Sequence, residues 1–315
     1  MSSFPTSHWG LILGGSSGFG LATAKKLAAN GLNLVIVHRD RRGAMKRIEP
    51  EFQALRDAGV RVVAINADAL ADEGREQVLQ TMRTEMGESD RVRVVLHSIA
   101  FGNLKPLIAP TPTFDRDAAI GRLASELGLD PELVSTGIDR AFEDGVPALY
   151  PMASPTDYGE RLTDEEDLAS TIYNMGTSLE TWVRELHERG LFAADARVLG
   201  LTSEGNEIAW RGYAAVSAAK VAMESISRSI ALEFAPYGIR SNIVQAGITE
   251  TPASALIPGI GRMKAQAQLR NPFGRLTTPA DVADFLYLLC TDEAGWVNGA
   301  VLRVDGGEHI SGGAY

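Results

Sequence analysis

The chain has a single cysteine, few aromatic residues and no long apolar run. Of its 315 residues one is cysteine and 7% are aromatic. The lone Cys290 excludes an internal disulfide, and its place in the apolar segment DVADFLYLLC predicts a core residue rather than a nucleophile. No run approaches the roughly eighteen apolar residues that cross a bilayer, and the N-terminus lacks a cleavable secretion signal. We therefore expect a cytoplasmic protein with no membrane partner.

Positive charge is also scarce. The 30 Lys and Arg are outnumbered by 40 Asp and Glu, which leaves a net charge of −10 without a basic patch. This balance argues against nucleic acid as a partner, and no metal site is expected. A hydrophobic content of 45% is enough for one large α/β domain over residues 1–315. Strand-like and helix-like segments alternate from Trp9 to Met86, as in a parallel sheet with right-handed crossovers.

The segment LILGGSSGFGLATAKKLAANG contains the first candidate binding motif. Leu11–Leu13 are typical of the end of a buried strand, the glycines of a tight loop, and residues 21–30 of a helix that stops at Gly31. A strand, a glycine loop and a helix N-terminus together present backbone N–H groups to a pyrophosphate. An ordinary turn is the alternative interpretation.

The segment VRVVLHSIAFGN contains the second motif. Val92–Leu96 have the composition of a buried parallel strand, so residues 97–102 should follow its C-terminal end, where open α/β sheets bind ligands. This position favours a ligand role for Ser98–Ala100. We expect His97 to be a packing residue rather than a catalyst.

Tyr213 and Lys220 form the third motif because a seven-residue step nearly closes two helical turns. Both side chains should then leave one face of a helix. A phenol and an ammonium on one face suit a proton donor and a cation that acidifies it and holds a diol. A chance pair on a solvated helix is the alternative.

Taken together, the three motifs resemble the short-chain dehydrogenase/reductase superfamily and, within it, the enoyl-thioester reductases of fatty acid synthesis. The resemblance covers about residues 7–109 and 167–310, through GGSSGFG, HSIAFG, IRSNIVQAGITET and GAVLRVDGG. It implies a Rossmann-like, doubly wound parallel sheet of about seven strands flanked by helices. It also implies an NAD(P) cofactor and a homotetramer or homodimer.

The resemblance implies catalytic roles for Tyr213, Lys220, Ser203 and Asn174. Carbonyl-reducing members place tyrosine four residues before the lysine, where this chain has Val216, whereas enoyl reductases place it seven before. Ser203 lies at the superfamily's serine position, where common enoyl reductases have a second tyrosine, so ketone reduction stays open. Asn174, in a helix expected over 167–189, matches the superfamily's helix asparagine; a polar residue facing solvent is the alternative.

Cofactor choice is expected at the end of the second strand, in LNLVIVHRDRR. His38 takes the position where an acidic residue would bind a ribose 2′-hydroxyl, and Arg39 follows it. This favours NADPH over NADH, unless Asp40 selects the cofactor. Asp68 resembles the family's adenine contact, with a helix cap as the alternative. The full expected cofactor set is Gly14, Ser16, Ser17, Gly18, Phe19, Gly20, Arg39, Asp68, Ala69, Ser98, Ile99, Ala100, Lys220, Gly247, Thr249 and Thr251.

Residues 104–166 are not explained by the resemblance. They include two predicted helices, Asp117–Leu127 and Pro131–Phe142, the second capped by Asp130. The segment has thirteen acidic and five basic residues, a net charge of −8. We expect a helical lid whose apolar stripes (Ile120, Leu123 and Leu127; Val134, Ile138 and Phe142) fold onto the pocket. An oligomer contact or a solvated decoration is the alternative.

A second mobile element is expected at residues 252–271, where Ala255, Leu256, Ile257, Ile260 and Met263 could line an acyl slot and PGIG could act as a hinge. The sequence therefore predicts NADPH-dependent reduction of the 2,3 double bond of a trans-2-enoyl thioester carried on coenzyme A or acyl carrier protein. The acidic insert would repel an acidic carrier protein. The alternatives are a ketone reductase that uses Ser203 and a non-catalytic NADPH-binding sensor or scaffold.

Overall fold

A seven-stranded parallel sheet forms the centre of the molecule. The computed structural model describes residues 4–109, 111 and 115–313; four residues of the predicted insert, 110 and 112–114, lie outside it. The strand order is β3-β2-β1-β4-β5-β6-β7 and every pairing is parallel. The strands are β1 (His8–Leu13), β2 (Asn33–His38), β3 (Val62–Asn66), β4 (Arg91–His97), β5 (Phe192–Ser203), β6 (Ile239–Ala246) and β7 (Val301–Val304). The predicted fold class is confirmed.

Helices cover both faces of the sheet. They are α1 (Gly18–Ala29), α2 (Met45–Asp57), α3 (Asp72–Glu85), α4 (Arg116–Leu127), α5 (Pro131–Glu143), α6 (Glu165–Ile172), α7 (Ser178–Glu188), α8 (Ala214–Glu233), α9 (Ile260–Arg270) and α10 (Pro279–Cys290). Two apolar cores result, one on each side of the sheet. The central strands are buried on both faces, which explains why β1 and β2 are continuous apolar runs. Within the described ranges, no helix is long and apolar enough to cross a membrane.

Several sequence predictions match these elements, and one helix differs. Asp130 caps α5 through its carboxylate, which accepts the backbone N–H of Glu132. Cys290 ends α10 fully buried, and burial raises the pKa of its thiol to about 12. The helix expected over 167–189 is instead α6 and α7 joined by a π-helical turn, Tyr173–Thr177. Such turns insert one residue into a helix and recur near functional sites.

The insert after β4 builds a small core of its own. Ile120, Val134 and Ile138 are buried against one another, with Leu149 and Met152 alongside. Leu123 and Leu127, by contrast, are 40% and 57% exposed. The expectation that both apolar stripes fold onto the pocket is therefore wrong. The two helices satisfy their apolar faces mainly by packing on each other.

Candidate active site

The glycine loop joins β1 to α1 and forms one wall of a cleft. Gly14 has φ +86, and a Cβ there would lie 2.6 Å from the carbonyl oxygen of Ser98. A Cβ on Gly20 would lie 2.2 Å from the carbonyl oxygen of Gly14. Glycine is therefore needed at Gly14 for both φ and space, and at Gly20 so that α1 can approach the loop. The half-buried N-terminus of α1 borders the cleft, which Ser17, Gly18 and Phe19 line.

The other walls come from the ends of β2, β3 and β4 and from the loop after β6. Twelve of the predicted cofactor residues line this one cleft: Gly14, Ser16, Ser17, Gly18, Phe19, Arg39, Asp68, Ala69, Ser98, Ile99, Ala100 and Thr251. Ligand binding at this edge is what a doubly wound sheet predicts. The other four, Gly20, Lys220, Gly247 and Thr249, are not part of this lining. Thr249 is buried and pairs with Thr277. The contact of these four residues with the cofactor stays a prediction.

Arg39 lines the cleft just after the end of β2. Its guanidinium donates to Asp68 at 2.6 Å and lies 4.3 Å from the ring centroid of Phe101. Hydrogen bonds from Leu70 N–H and Arg39 hold the pKa of Asp68 below its usual value despite partial burial. Asp68 is thus an ion-pair partner of Arg39 and does not cap α3, whose N-cap is Ala71.

Asp40, the alternative selector of the cofactor, does not line the cleft. His38 is buried at the end of β2, and its Nδ1 lies 3.0 Å from Asp40 Oδ2. His38 lines the cleft and Asp40 does not. At the end of β2 the cleft wall therefore carries Arg39 but no carboxylate.

Three of the predicted catalytic residues meet at the C-terminal end of β5. Ser203 is the last residue of the strand, and its Oγ lies 3.3 Å from the hydroxyl of Tyr213. Lys220 is buried in α8 and donates from Nζ to the backbone oxygen of Leu201 at 2.8 Å. A serine hydroxyl and a phenol thus meet at the end of β5, and the Lys220 ammonium lies against the same strand two residues before Ser203.

Tyr213 does not share a helical face with Lys220. It is the N-cap residue of α8, with φ −115 and ψ 3 outside the helical region, and the helix begins at Ala214. Gly212, at φ +74, turns the chain just before it. Both residues approach the end of β5, Tyr213 through this turn and Lys220 from within α8, so helix periodicity does not relate them.

The electrostatics of the pair also differ from the sequence expectation. Burial raises the pKa of Tyr213, only partly offset by the hydrogen bond with Ser203. Burial lowers the pKa of Lys220 to about 8, while the nearby Glu224 opposes this shift. The prediction that Lys220 acidifies the phenol is therefore wrong in this structure. Tyr213 is a protonated donor at neutral pH.

His97 and Asn174 lie one layer behind this site. His97 is fully buried, its Nε2 is 2.9 Å from Ser178 Oγ, and burial lowers its pKa to about 3, so it is neutral. His97 is therefore a packing residue, as predicted. Asn174 lies in the π-helical turn, half-buried, and its backbone oxygen accepts from Ser178 Oγ at 3.1 Å. The turn packs against α8, and the catalytic role of Asn174 stays a prediction.

Val216 fills the position where carbonyl-reducing relatives have tyrosine. It is buried on α8 in a small apolar cluster with Met175 and Ala219, against which the Tyr213 ring packs. A Cβ on Gly102, in the loop after β4, would lie 3.1 Å from Val216 Cγ2. The hydroxyl next to Ser203 therefore belongs to Tyr213.

The insert reaches this site at two places that the sequence did not indicate. The Tyr158 ring packs on Gly212, where a Cβ would lie 3.2 Å from it. Thr156 packs on Gly259, the left-handed N-cap of α9, and Arg262 of α9 donates to the backbone oxygen of Ser154 at 2.8 Å. Tyr158 and Thr156 carry no motif, so only packing reveals them. Met263 is buried, whereas Leu256 in the predicted acyl slot is 75% exposed.

Two family descriptions match the chain. Residues 8–101 match "short chain dehydrogenase" and residues 153–309 match "Enoyl-(Acyl carrier protein) reductase". Together with the fold and the cleft, these matches define a short-chain oxidoreductase. The chain belongs to the short-chain dehydrogenase/reductase superfamily, whose nicotinamide cofactor the glycine cradle and the lined cleft fit.

The relatives of this chain are named for different enzyme activities. Cis-4-hydroxycyclohexanecarboxylate dehydrogenase of Sinomonas cyclohexanicum is 27% identical over 94% of both chains. Enoyl-[acyl-carrier-protein] reductase [NADH] of Aquifex aeolicus is 36% identical over 36% of this chain and 43% of its own. The 1-cyclohexenylcarbonyl-CoA reductase of Streptomyces collinus is 37% identical over 36% of this chain and 41% of its own. A solved structure of the Aquifex aeolicus enzyme superposes with a TM-score of 0.69 at 23% identity, covering 97% of each chain, and supports the fold.

Proposed function

We propose that this protein reduces the 2,3 double bond of an enoyl thioester with NADPH. The observation that carries the proposal is the placement of Tyr213, whose hydroxyl lies 3.3 Å from Ser203 Oγ, while Val216 fills the carbonyl-reducing position. Hydride addition to the β-carbon of an enoyl thioester develops charge on an oxygen farther from the attacked carbon than in a ketone. A phenol displaced along the chain by three residues suits that more distant oxygen.

Each residue near the end of β5 would have a separate chemical role. The bound cofactor supplies the hydride. Tyr213, protonated because burial raises its pKa, donates to the developing enolate oxygen, and Ser203 is placed to donate beside it. Lys220, whose pKa of about 8 leaves it charged at neutral pH, holds the ribose diol of the cofactor. Ser98–Ala100 and Thr251 border the same cleft and position the cofactor.

The preference for NADPH rests on the end of β2. Arg39 faces the cleft, whereas Asp40 is bound to His38 outside it. A ribose 2′-phosphate could exchange with Asp68 as the partner of Arg39, because the guanidinium is half-exposed and phosphate accepts bidentate pairs. Asp68 would then be released toward the adenine amino group.

The thioester is expected to be a coenzyme A ester rather than an acyl carrier protein ester. The insert carries a net charge of −8 and its Tyr158 reaches Gly212, beside Tyr213, so the acidic segment borders the substrate side. It would repel an acidic carrier protein. The similarity to 1-cyclohexenylcarbonyl-CoA reductase, which by its name acts on a conjugated CoA ester, supports the same choice. The insert would then act as a wall or lid over the acyl group.

The test is a substrate panel followed by NADPH absorbance. It should include straight-chain and cyclic 2-enoyl-CoA esters, an enoyl carrier protein and simple ketones, with NADH as the cofactor control. We expect turnover on enoyl-CoA with NADPH. Turnover restricted to ketones would refute the proposal. NADPH binding without turnover on any substrate would favour a non-catalytic sensor.

A second candidate is the oxidation and reduction of a ring alcohol and ketone. It is favoured by the Ser203–Tyr213 contact, since a serine and a tyrosine hydroxyl can both bind a carbonyl oxygen. The 27% identity to a hydroxycyclohexanecarboxylate dehydrogenase over 94% of both chains adds to it. Oxidation of cis-4-hydroxycyclohexanecarboxylate with NADP⁺, in the absence of enoyl-CoA reduction, would select this function.

We also propose that the protein self-associates. Trp296 is 96% exposed just before the edge strand β7, where Val301 is 39% exposed. Parallel sheets normally bury their strands, so this edge suits a second copy of the chain. Light scattering should give a dimer or tetramer, and Trp296→Lys should shift it toward monomer. A monomeric wild type at micromolar concentration would refute the proposal.

A further inference from the structure

A buried ionic cluster lies directly behind the candidate active site. Glu204 follows Ser203, Arg270 ends α9, and Glu308 follows β7; Glu204 and Glu308 are 4% and 1% exposed. Arg270 Nη2 donates to both carboxylates. Removing ions from water is costly, so a buried cluster of this kind marks a place where geometry is held tightly.

Each carboxylate touches a different part of the site. Glu308 Oε1 accepts the backbone N–H of Ile248 at 3.2 Å. Its Oε2 lies 2.9 Å from the point a Cβ on Gly247 would occupy, so the carboxylate also packs against that glycine. Gly247 and Ile248 begin the loop that leads to Thr251 in the cofactor cleft. Glu308 therefore supports this loop from behind.

Glu204 supports the part of the site that contains Ser203 and Tyr213. It begins a short 3₁₀ turn right after Ser203, and a Cβ on the neighbouring Gly205 would lie 2.5 Å from the Tyr213 ring. A shift of Glu204 would thus move the serine and press the turn onto the phenol. Arg270 joins this turn to the cofactor loop through a single guanidinium.

Arg270 also connects the loop after β6 and the turn after Ser203 to the insert, because it lies at the end of α9. The other end of α9 contacts the insert, where Thr156 packs on Gly259 and Arg262 donates to Ser154. Met263 and Ala267 are buried along the helix between these ends. One rigid helix therefore runs from the substrate-side wall to the cluster.

We propose that Glu204, Arg270 and Glu308 are positioning residues that fix the nicotinamide-binding loop and Ser203 relative to each other. This proposal rests on the proposed hydride transfer, but its first test does not require a substrate. In the proposed function Arg39 binds the 2′-phosphate, so the adenosine half of the cofactor would lie at Arg39 and Asp68. The nicotinamide half would then lie beside Ser203, Tyr213 and the loop that ends at Thr251. Loss of the cluster should therefore weaken binding of one half of the cofactor only.

The experiment compares NADPH with 2′,5′-ADP, which lacks the nicotinamide half. In Arg270→Met we expect the Kd for NADPH to rise about tenfold and the Kd for 2′,5′-ADP to stay within about twofold, with kcat lower by about a hundredfold, the effect typical of a misplacement near 1 Å. Arg275→Met is the matched control. Arg275 lies five residues after Arg270, and its replacement breaks an ion pair with Asp281 at the surface. It should leave both Kd values and kcat unchanged.

A second variant separates positioning from folding. Arg270→Met leaves two buried carboxylates without their cation, so it should lower the Tm. Adding Glu308→Gln removes one charge while keeping an acceptor for Ile248 N–H, and should restore most of the Tm but not kcat. Recovery of kcat together with Tm would reduce the cluster to a stability element. Equal weakening of both ligands by Arg270→Met, or of neither, would overturn the proposal. Failure of wild type to bind 2′,5′-ADP, or to turn over any enoyl thioester, would instead count against the proposed function.

Discussion

Replacement of Lys220 by methionine should abolish activity and, at neutral pH, make the protein more stable. Burial lowers the pKa of Lys220 from 10.5 to about 8. At about 1.4 kcal/mol for each pH unit, keeping this charge in the folded protein costs roughly 3 kcal/mol. Methionine removes that cost with a side chain of similar length.

The gain in folding stability is reduced because the variant loses one hydrogen bond. Lys220 Nζ donates to Leu201 O at 2.8 Å, and leaving that buried carbonyl without this donor costs about 1–2 kcal/mol. The net stabilisation at pH 7 should be about 1–2 kcal/mol, or a Tm about 2–5 °C higher for a domain of this size. The turnover should fall at least about a hundredfold because, in the proposed function, the ribose diol of the cofactor loses its cation.

The pH dependence gives the sharper test. Below pH 8 both folded and unfolded states carry the Lys220 proton, so the full penalty is present. Between pH 8 and 10.5 the unfolded state binds a proton that the folded state has released, so wild-type stability gains from Lys220 as pH rises. The advantage of Lys220→Met should therefore shrink between pH 7 and pH 9.5.

Urea unfolding of cofactor-free protein at both pH values measures this difference, because bound cofactor would add its own stabilisation. Lys25→Met is the control: Lys25 is 49% exposed on α1, and its replacement should change little at either pH. A Lys220→Met variant that is less stable than wild type at pH 7, with a difference that does not vary with pH, would refute the reasoning.

Three further predictions concern the site. Tyr213→Phe should lower kcat by at least about a hundredfold with NADPH affinity nearly unchanged, since the phenol acts on the substrate oxygen; near-normal turnover in a stopped-flow assay would contradict its role. Arg39→Ala should weaken NADPH about ten- to a hundredfold and NADH hardly at all, whereas an equal loss by fluorescence titration would make Arg39 structural. Arg262→Ala removes the contact between α9 and the Ser154 carbonyl. It should raise KM for long-chain thioesters more than for short ones, and a KM unchanged across a chain-length series would remove the insert from substrate binding.

Much of the cleft could be predicted because it is local in sequence. The glycine loop, Ser98–Ala100 and Arg39 each directly follow a buried strand, and parallel strands bring their C-terminal ends to one edge. Gly20, Lys220, Gly247 and Thr249 belong to the cofactor set by resemblance but are not among the residues that line the cleft. Apart from Lys220, they have neighbours in sequence that line the cleft, and sequence alone does not show which residue of a loop faces the ligand.

The helix argument for Tyr213 and Lys220 was wrong about how the two residues are placed. Seven residues nearly close two turns only if both lie within a helix, whereas α8 begins one residue after Tyr213. The direction of the Tyr213 pKa was also missed. It depends on burial by residues distant in the chain, such as Met175 and Leu104.

The sequence by itself determined the parallel sheet, the phosphate-binding loop and the identity of the phenol, because strand composition, glycine spacing and residue type are local properties. Only the tertiary structure decided that Tyr158 of the insert packs beside Tyr213, and that Arg270 joins Glu204 to Glu308 across 104 residues of chain. These contacts depend on where α9, the insert and the end of β7 meet. Burial, which sets both the strength of the ionic cluster and the pKa of Lys220, does not exist until the whole chain has folded.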